Sequence, residues 1–217
     1  MGYKLTWVYI RPNGTEQKIR PNWFHYEVDF TQLSALPAEW TATTWGTVVN
    51  GSWLQAETLA YMSVDLTSAN LLEMEMTWTR TETSWAWWDK LWVGDWANWS
   101  SWYNEYYFMA LYSSNYSYHN QWSFLESNIW WTNTNLAADT WKTPRWWDYT
   151  YTFSIDFSTG VMSWTQYDSL SGNTNNPTYT LSSSQISDIK NYGYVRIYNF
   201  NPNGVTNYIK TVSIDIT

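Results

Sequence analysis

Between residues 149 and 167 apolar and polar side chains alternate with a period of two. Tyr151, Phe153, Ile155 and Phe157 fall on one face, and Thr150, Thr152, Ser154 and Asp156 on the other, as in a strand with one buried and one wet face. Ser158-Thr159-Gly160 breaks the run. It resumes over Val161 to Tyr167, with Met162 and Trp164 opposite Ser163 and Thr165. Two such runs joined by a short turn ending in glycine predict an antiparallel hairpin. A hairpin cannot bury its apolar face alone, so it implies a larger sheet packed on a second layer.

The same signature recurs along the chain. Leu5 to Ile10 and Thr15 to Ile19 flank the turn Arg11-Pro12-Asn13-Gly14 and predict an N-terminal hairpin within residues 1–22. This hairpin serves either as edge strands of the main body or as an attachment arm for a neighbouring subunit. Trp23 to Phe30 alternates, with Phe24, Tyr26, Val28 and Phe30 on one side. Leu33 to Trp53 reads as loops with a short strand at Gly46 to Val49. Ala60 to Leu66 and Leu72 to Trp78, separated by Thr67-Ser68-Ala69-Asn70, predict a second hairpin with Glu73, Glu75 and Thr77 on its polar face. Tyr106 to Tyr112, Gln121 to Trp131, Tyr194 to Phe200 and Tyr208 to Thr217 complete the set. About ten short strands between Asn, Ser, Gly and Pro turns imply a sandwich or barrel, formed by residues 23–217 as a single domain.

Composition narrows the partners. The 217 residues carry a formal charge of -8 with 11 scattered Lys and Arg, which argues against nucleic acid, whose recognition needs clustered basic residues. The absence of cysteine rules out disulfides, thiolate metal sites and cysteine nucleophiles. No run of 18 apolar residues occurs, and Met1 to Arg20 is interrupted by polar residues, so neither membrane insertion nor a signal peptide is expected. The unusual feature is 20 Trp and 18 Tyr, with 14 of the Trp between Trp78 and Trp147. One core cannot hold them all, which places some at the surface or in an interface. Biased codon usage is the competing explanation.

Tyr151-Thr-Phe-Ser-Ile-Asp-Phe-Ser-Thr-Gly160 with its Trp-bearing return strand, then Tyr194-Val-Arg-Ile-Tyr-Asn-Phe200 and the alternating terminal strand, resembles the closing half of a concanavalin A-like lectin/glucanase jelly roll. The resemblance covers residues 149–217, and Ala60 to Trp78 more loosely. It implies an all-β, antiparallel two-sheet sandwich whose concave face and Trp-rich rim loops bind polysaccharide or cell-surface glycan.

The Trp block is read beside that resemblance. Trp85, Trp88, Trp92, Trp96, Trp99 and Tyr103 recur at helical spacing, but Gly94 interrupts them and a long helix is foreign to a jelly roll. Residues 84–103 are therefore expected to be mostly loop. Either their rings plug the open end of the sandwich, or they form an aromatic platform for the C–H faces of sugars. The platform candidates are Trp88, Trp92, Trp96 and Trp99 together with the adjacent pairs Trp130-Trp131 and Trp146-Trp147. Neighbours on a strand point to opposite faces, so one ring of each pair is expected to be wet.

Catalysis and metal binding have weaker support. Retaining glycoside hydrolysis needs two carboxyls about 5 to 5.5 Å apart, and Glu73 and Glu75 share a strand face. The Glu-x-Asp-x-x-Glu signature of the family's glucanases is not met by Glu73-Met74-Glu75-Met76-Thr77-Trp78, and Glu126 is the only further candidate partner. Asp89, Asp95, Asn98 and Asn104 offer hard oxygen ligands for calcium, without a recognised spacing. The reading is a non-catalytic glycan-binding domain, extracellular or on a virion surface such as that of a phage-type particle. It would act as a homo-oligomer or within a surface assembly. A purely structural or decorating subunit is the alternative, and a glycoside hydrolase the third reading.

Overall fold

The computed structural model describes residues 8–10, 17–19, 24–42, 54–55, 58–80, 87–95, 107–115, 120–129, 132–141, 148–168, 172, 174–200 and 207–217. In chain order the strands are β1 (Val8–Ile10), β2 (Gln17–Ile19), β3 (Phe24–Asp29), β4 (Thr41–Ala42), β5 (Leu54–Gln55), β6 (Thr58–Ser63), β7 (Leu71–Arg80), β8 (Trp87–Gly94) and β9 (Tyr107–Asn115). They continue as β10 (Asn120–Ile129), β11 (Thr132–Trp141), β12 (Asp148–Asp156), β13 (Val161–Asp168), β14 (Thr174–Asn175), β15 (Thr178–Thr180), β16 (Tyr194–Phe200) and β17 (Asn207–Ile216). One described α-helix, α1 (Ser183–Lys190), precedes β16.

Two antiparallel sheets face each other. The eight-stranded sheet runs β14-β13-β12-β7-β17-β3, with β15 on β13 and β5 on β17; the seven-stranded sheet runs β11-β10-β9-β8-β16-β6-β4. The hairpin expected at residues 149–167 is β12–β13, in register from Tyr149 opposite Asp168 to Asp156 opposite Val161. Gly160 closes it at φ +75°, a left-handed conformation that glycine adopts without penalty. The Asp156 side chain accepts hydrogen bonds from the Ser158 and Thr159 backbone N–H groups at 2.8 and 3.1 Å. The bond from the Ser158 hydroxyl, at 2.6 Å, does most to hold its carboxyl down at about 2, followed by that from the Thr159 N–H.

Alternation puts Leu72, Met74, Met76, Phe153, Ile155, Val212 and Ile214 of one sheet into a core shared with Ala60, Leu91, Val93, Val195 and Ile197 of the other, all fully buried. Each of these side chains larger than Ala60 contributes roughly 1.5–3 kcal/mol on burial. That core is what holds the two sheets together.

Several expectations are corrected. Residues 60–66 and 72–78 do not make a hairpin: β6 pairs with β16 and β4, whereas β7 pairs with β12 and β17. The connection carries the chain from one sheet to the other. Asp65 shapes it by accepting from the Thr67 N–H at 3.0 Å, and so mimics a hairpin turn locally. Residues 87–94, expected as loop, form β8 between β9 and β16. Leu91, Trp92 and Val93 are all buried, so no alternation marks the strand. β4 lies in the stretch read as loop, while the strand expected at Gly46 to Val49 lies outside the described residues. The helix α1 was not foreseen, although Ser182 and Gln185 form a reciprocal capping box at its start. β1 and β2 pair with each other, Val8 opposite Ile19. Among the described residues they join neither large sheet.

Candidate functional site

One cross-strand row spans the whole seven-stranded sheet. From β11 to β4 it runs Asn135, Glu126, Met109, Trp92, Arg196, Tyr61 and Thr41, each opposite the next. Six strand spacings of about 4.8 Å give it a length of about 29 Å. On β8 and β16 its orientation is fixed by the neighbours. Leu91, Val93, Val195 and Ile197 point into the core, so Trp92 and Arg196 lie on the opposite face.

That outer face is itself covered at its centre: Trp92 is 5% exposed and Arg196 is 1% exposed. The Arg196 guanidinium carbon stands 5.4 Å from the centre of the Trp92 ring, a cation–π contact strengthened by the exclusion of water. Trp92, expected on an exposed rim, is thus a packed ring in mid-sheet. Next along the row, Tyr61 is half-buried and meets Tyr194 edge to face, with centroids 5.8 Å apart and planes at 88°. Arg196, Tyr61 and Tyr194 were not singled out from the sequence. The signal was present in Tyr194-Val-Arg-Ile, where alternation sets Arg196 against Val195 and Ile197.

The strand ends sort the remaining Trp candidates. Gly94 at the end of β8 is opposite Tyr107 at the start of β9, Tyr107 is opposite Asn128 near the end of β10, and Asn128 is opposite Asn133 at the start of β11. The segments that carry Trp96, Trp99, Trp130 and Trp131 are therefore anchored at one end of the sheet. Trp146 and Trp147 follow Trp141, which is opposite Gln121 at the other end. Trp88 is on β8, opposite Ser113 and Phe200. Trp96, Trp99, Trp130, Trp131, Trp146 and Trp147 themselves lie outside the described residues, as do Asn98 and Asn104.

The acidic candidates are divided between the sheets. Glu73 and Glu75 occupy the polar face of β7, where Glu73 is opposite Asp215 of β17 and Glu75 is opposite Ser213. Burial, then the Asp215 and Glu75 carboxylates, pushes the Glu73 carboxyl up from its ordinary range. Asp215 also pairs with His25 of β3, Oδ1 to Nδ1 2.6 Å. Glu126 is on β10 of the seven-stranded sheet, so the three candidate carboxylates are not brought to one sheet face. Among the described residues no group of three or more His, Asp or Glu side chains is arranged to hold a metal. Asp89 is on β8, and Asp95 is exposed just beyond it. No described helix is long and apolar enough to cross a membrane.

No family model and no curated protein matches the sequence. Solved structures do. The winged bean acidic lectin complexed with methyl-α-D-galactose superposes with a TM-score of 0.66 at 8% identity, over 89% of this chain and 99% of the lectin. The CBM2 module of the evolved Dit of Lactobacillus casei phage J-1 gives 0.64 at 10% identity, over 90% of this chain and 96% of the module. The endo-1,3-beta-glucanase from Streptomyces sioyaensis gives 0.60 at 13% identity, over 90% and 96%. With two antiparallel sheets, little helix and these likenesses, the chain has the concanavalin A-like jelly-roll fold.

Proposed function

We propose that this chain is a glycan-binding domain whose ligand lies at one end of the seven-stranded sheet, beyond the end of β8, and is gripped by the rings of Trp96, Trp99, Trp130 and Trp131. The observation that carries this reading is the convergence of strand ends. Two Trp-bearing segments far apart in sequence start and finish at one end of one sheet. Indole faces suit the C–H faces of pyranoses, and the polar groups between them suit the hydroxyls. The fold supports the class of ligand: a similar lectin holds methyl-α-D-galactose, and a similar module is carried by a phage Dit. The second likeness favours display on a virion or another extracellular assembly. Retention on immobilised polysaccharides and a glycan array test the reading directly.

A hydrolase has one observation in its favour, the place of Glu126 in the row beside Met109 and Trp92. The other row positions are Asn135, Arg196, Tyr61 and Thr41, so the row supplies no second carboxylate for the usual pair. Release of reducing sugar from a retained polysaccharide, lost in Glu126→Gln, would establish that reading instead.

A further inference from the structure

The row across the seven-stranded sheet ends at Tyr61 and Thr41, on the flank where β3 is the edge strand of one sheet and β4, beside β6, that of the other. A groove of about 280 Å³ occupies this flank. Phe24, Tyr26 and Tyr61 form its aromatic wall, and Glu39, Thr41 and Ser63 its polar rim.

The aromatic wall is set in place before any ligand arrives. Trp40 Nε1–H donates to the Tyr26 hydroxyl at 2.9 Å within a buried edge-on ring contact at 6.1 Å, and Tyr61 is braced against Tyr194. Rings already held lose little rotamer freedom on binding. The polar rim is exposed and offers two hydroxyls and one carboxylate. At the small end of ligand cavities, which run roughly 300–1,000 Å³, the groove holds about one sugar ring and not a chain laid lengthwise.

We infer that this flank groove binds a single neutral pyranose, stacked on the Tyr61 wall with its hydroxyls donating to Glu39. The inference rests on the glycan-binding reading and extends it to a subsite at the β4 end of the row. Glu39 sets the preference. Its carboxylate accepts from hydroxyls and repels a uronate, in a chain of formal charge -8. A pocket of this size with one charged partner gives weak affinity, a dissociation constant on the order of 1 mM.

The test is calorimetric titration of the intact protein with neutral methyl pyranosides of the gluco, galacto and manno series and with methyl glucuronide, beside polysaccharide retention in the same samples. At least one neutral pyranoside should bind, roughly tenfold or more tightly than the glucuronide. Glu39→Gln should weaken that binding about tenfold and Tyr61→Ala should abolish it, with most polysaccharide retention kept. Glu39 is exposed, so its variant reads out even if Tyr61→Ala does not fold. The subsite is wrong if no neutral pyranoside binds, if Glu39→Gln leaves binding unchanged, or if the glucuronide binds equally well. Retention without pyranoside binding overturns the subsite and leaves the sheet-end reading standing. Pyranoside binding sensitive to Glu39, without retention, does the reverse.

Discussion

Arg196 and Trp92 are register partners on β16 and β8, packed guanidinium over indole at 5.4 Å, and both are buried on the face of the sheet that points away from the core. A buried charge held against a ring in this way ties β16 to β8 on that face. Arg196→Ala should therefore destabilise the fold by about 2–4 kcal/mol, combining the loss of the cation–π contact with a cavity. Arg196→Lys should recover only part, since an ammonium does not stack as a planar guanidinium does. Denaturant midpoints of the three proteins check this, and an Arg196→Ala variant as stable as wild type would refute it.

Glu73 faces Asp215 and stands two residues from Glu75, and its carboxyl is pushed up from 4.5 by burial first and by those two carboxylates next. A carboxyl raised in the folded state is charged at a cost. That cost is absent below the unfolded value and grows as pH rises through the folded one. Glu73→Gln should thus stabilise the protein at pH 7, by less than about 1 kcal/mol given solvent screening. The gain should vanish below about pH 4.5. Melting curves of both proteins between pH 3 and 7 give the answer; a variant less stable at pH 7 would contradict it.

The turn at Asp156 has the opposite sign. Its carboxyl is held at about 2, against 3.8 ordinarily, by hydrogen bonds from Ser158 and Thr159. The stability it contributes is present above 3.8 and lost as pH falls towards 2. Asp156→Asn should lower the melting temperature at pH 7, and the gap from wild type should close by about pH 2. A gap that is constant across this range would show that the turn does not depend on the charge.

The same two strands show what the sequence makes legible. β12 and β13 are readable because each has one wet face, so period two survives, and because Gly160 supplies the turn. The faces of β7 and β17 are readable for the same reason. Their partners are not: alternation reports which side of a strand is buried and is silent on which strand lies beside it, so β6 and β7 read as a hairpin although they belong to different sheets. β8 was lost for a different reason. Both of its faces are covered around Trp92, which erases the alternation and leaves a Trp spacing that imitates a helix. In the candidate site the chemical types were legible in the Trp-rich composition. The Trp92–Arg196 pairing was not, because it depends on a contact between residues about a hundred positions apart.

The N-terminal hairpin, β1 with β2, pairs with neither large sheet among the described residues. Deleting residues 1–20 should leave a folded, soluble domain with an unchanged unfolding midpoint, and should lower the mass of any oligomer measured by light scattering. Unfolding on deletion would assign the hairpin to the core.

The central claim is that the Trp residues between β8 and β9 and between β10 and β11, whose flanking strand ends lie at one end of the seven-stranded sheet, hold glycan. Retention on a panel of immobilised polysaccharides, measured beside melting temperature for single Trp→Ala variants, tests it most directly. Wild type should be retained. Changing Trp96, Trp99, Trp130 or Trp131 should weaken retention by up to about tenfold each, the worth of roughly 0.5–1.5 kcal/mol of aromatic contact, with little change in melting temperature. Changing Trp146 or Trp147, which follow β11 where it ends at the opposite end of the sheet, should weaken it less. Wild type that is not retained, or retention lost only in step with melting temperature, would contradict the account.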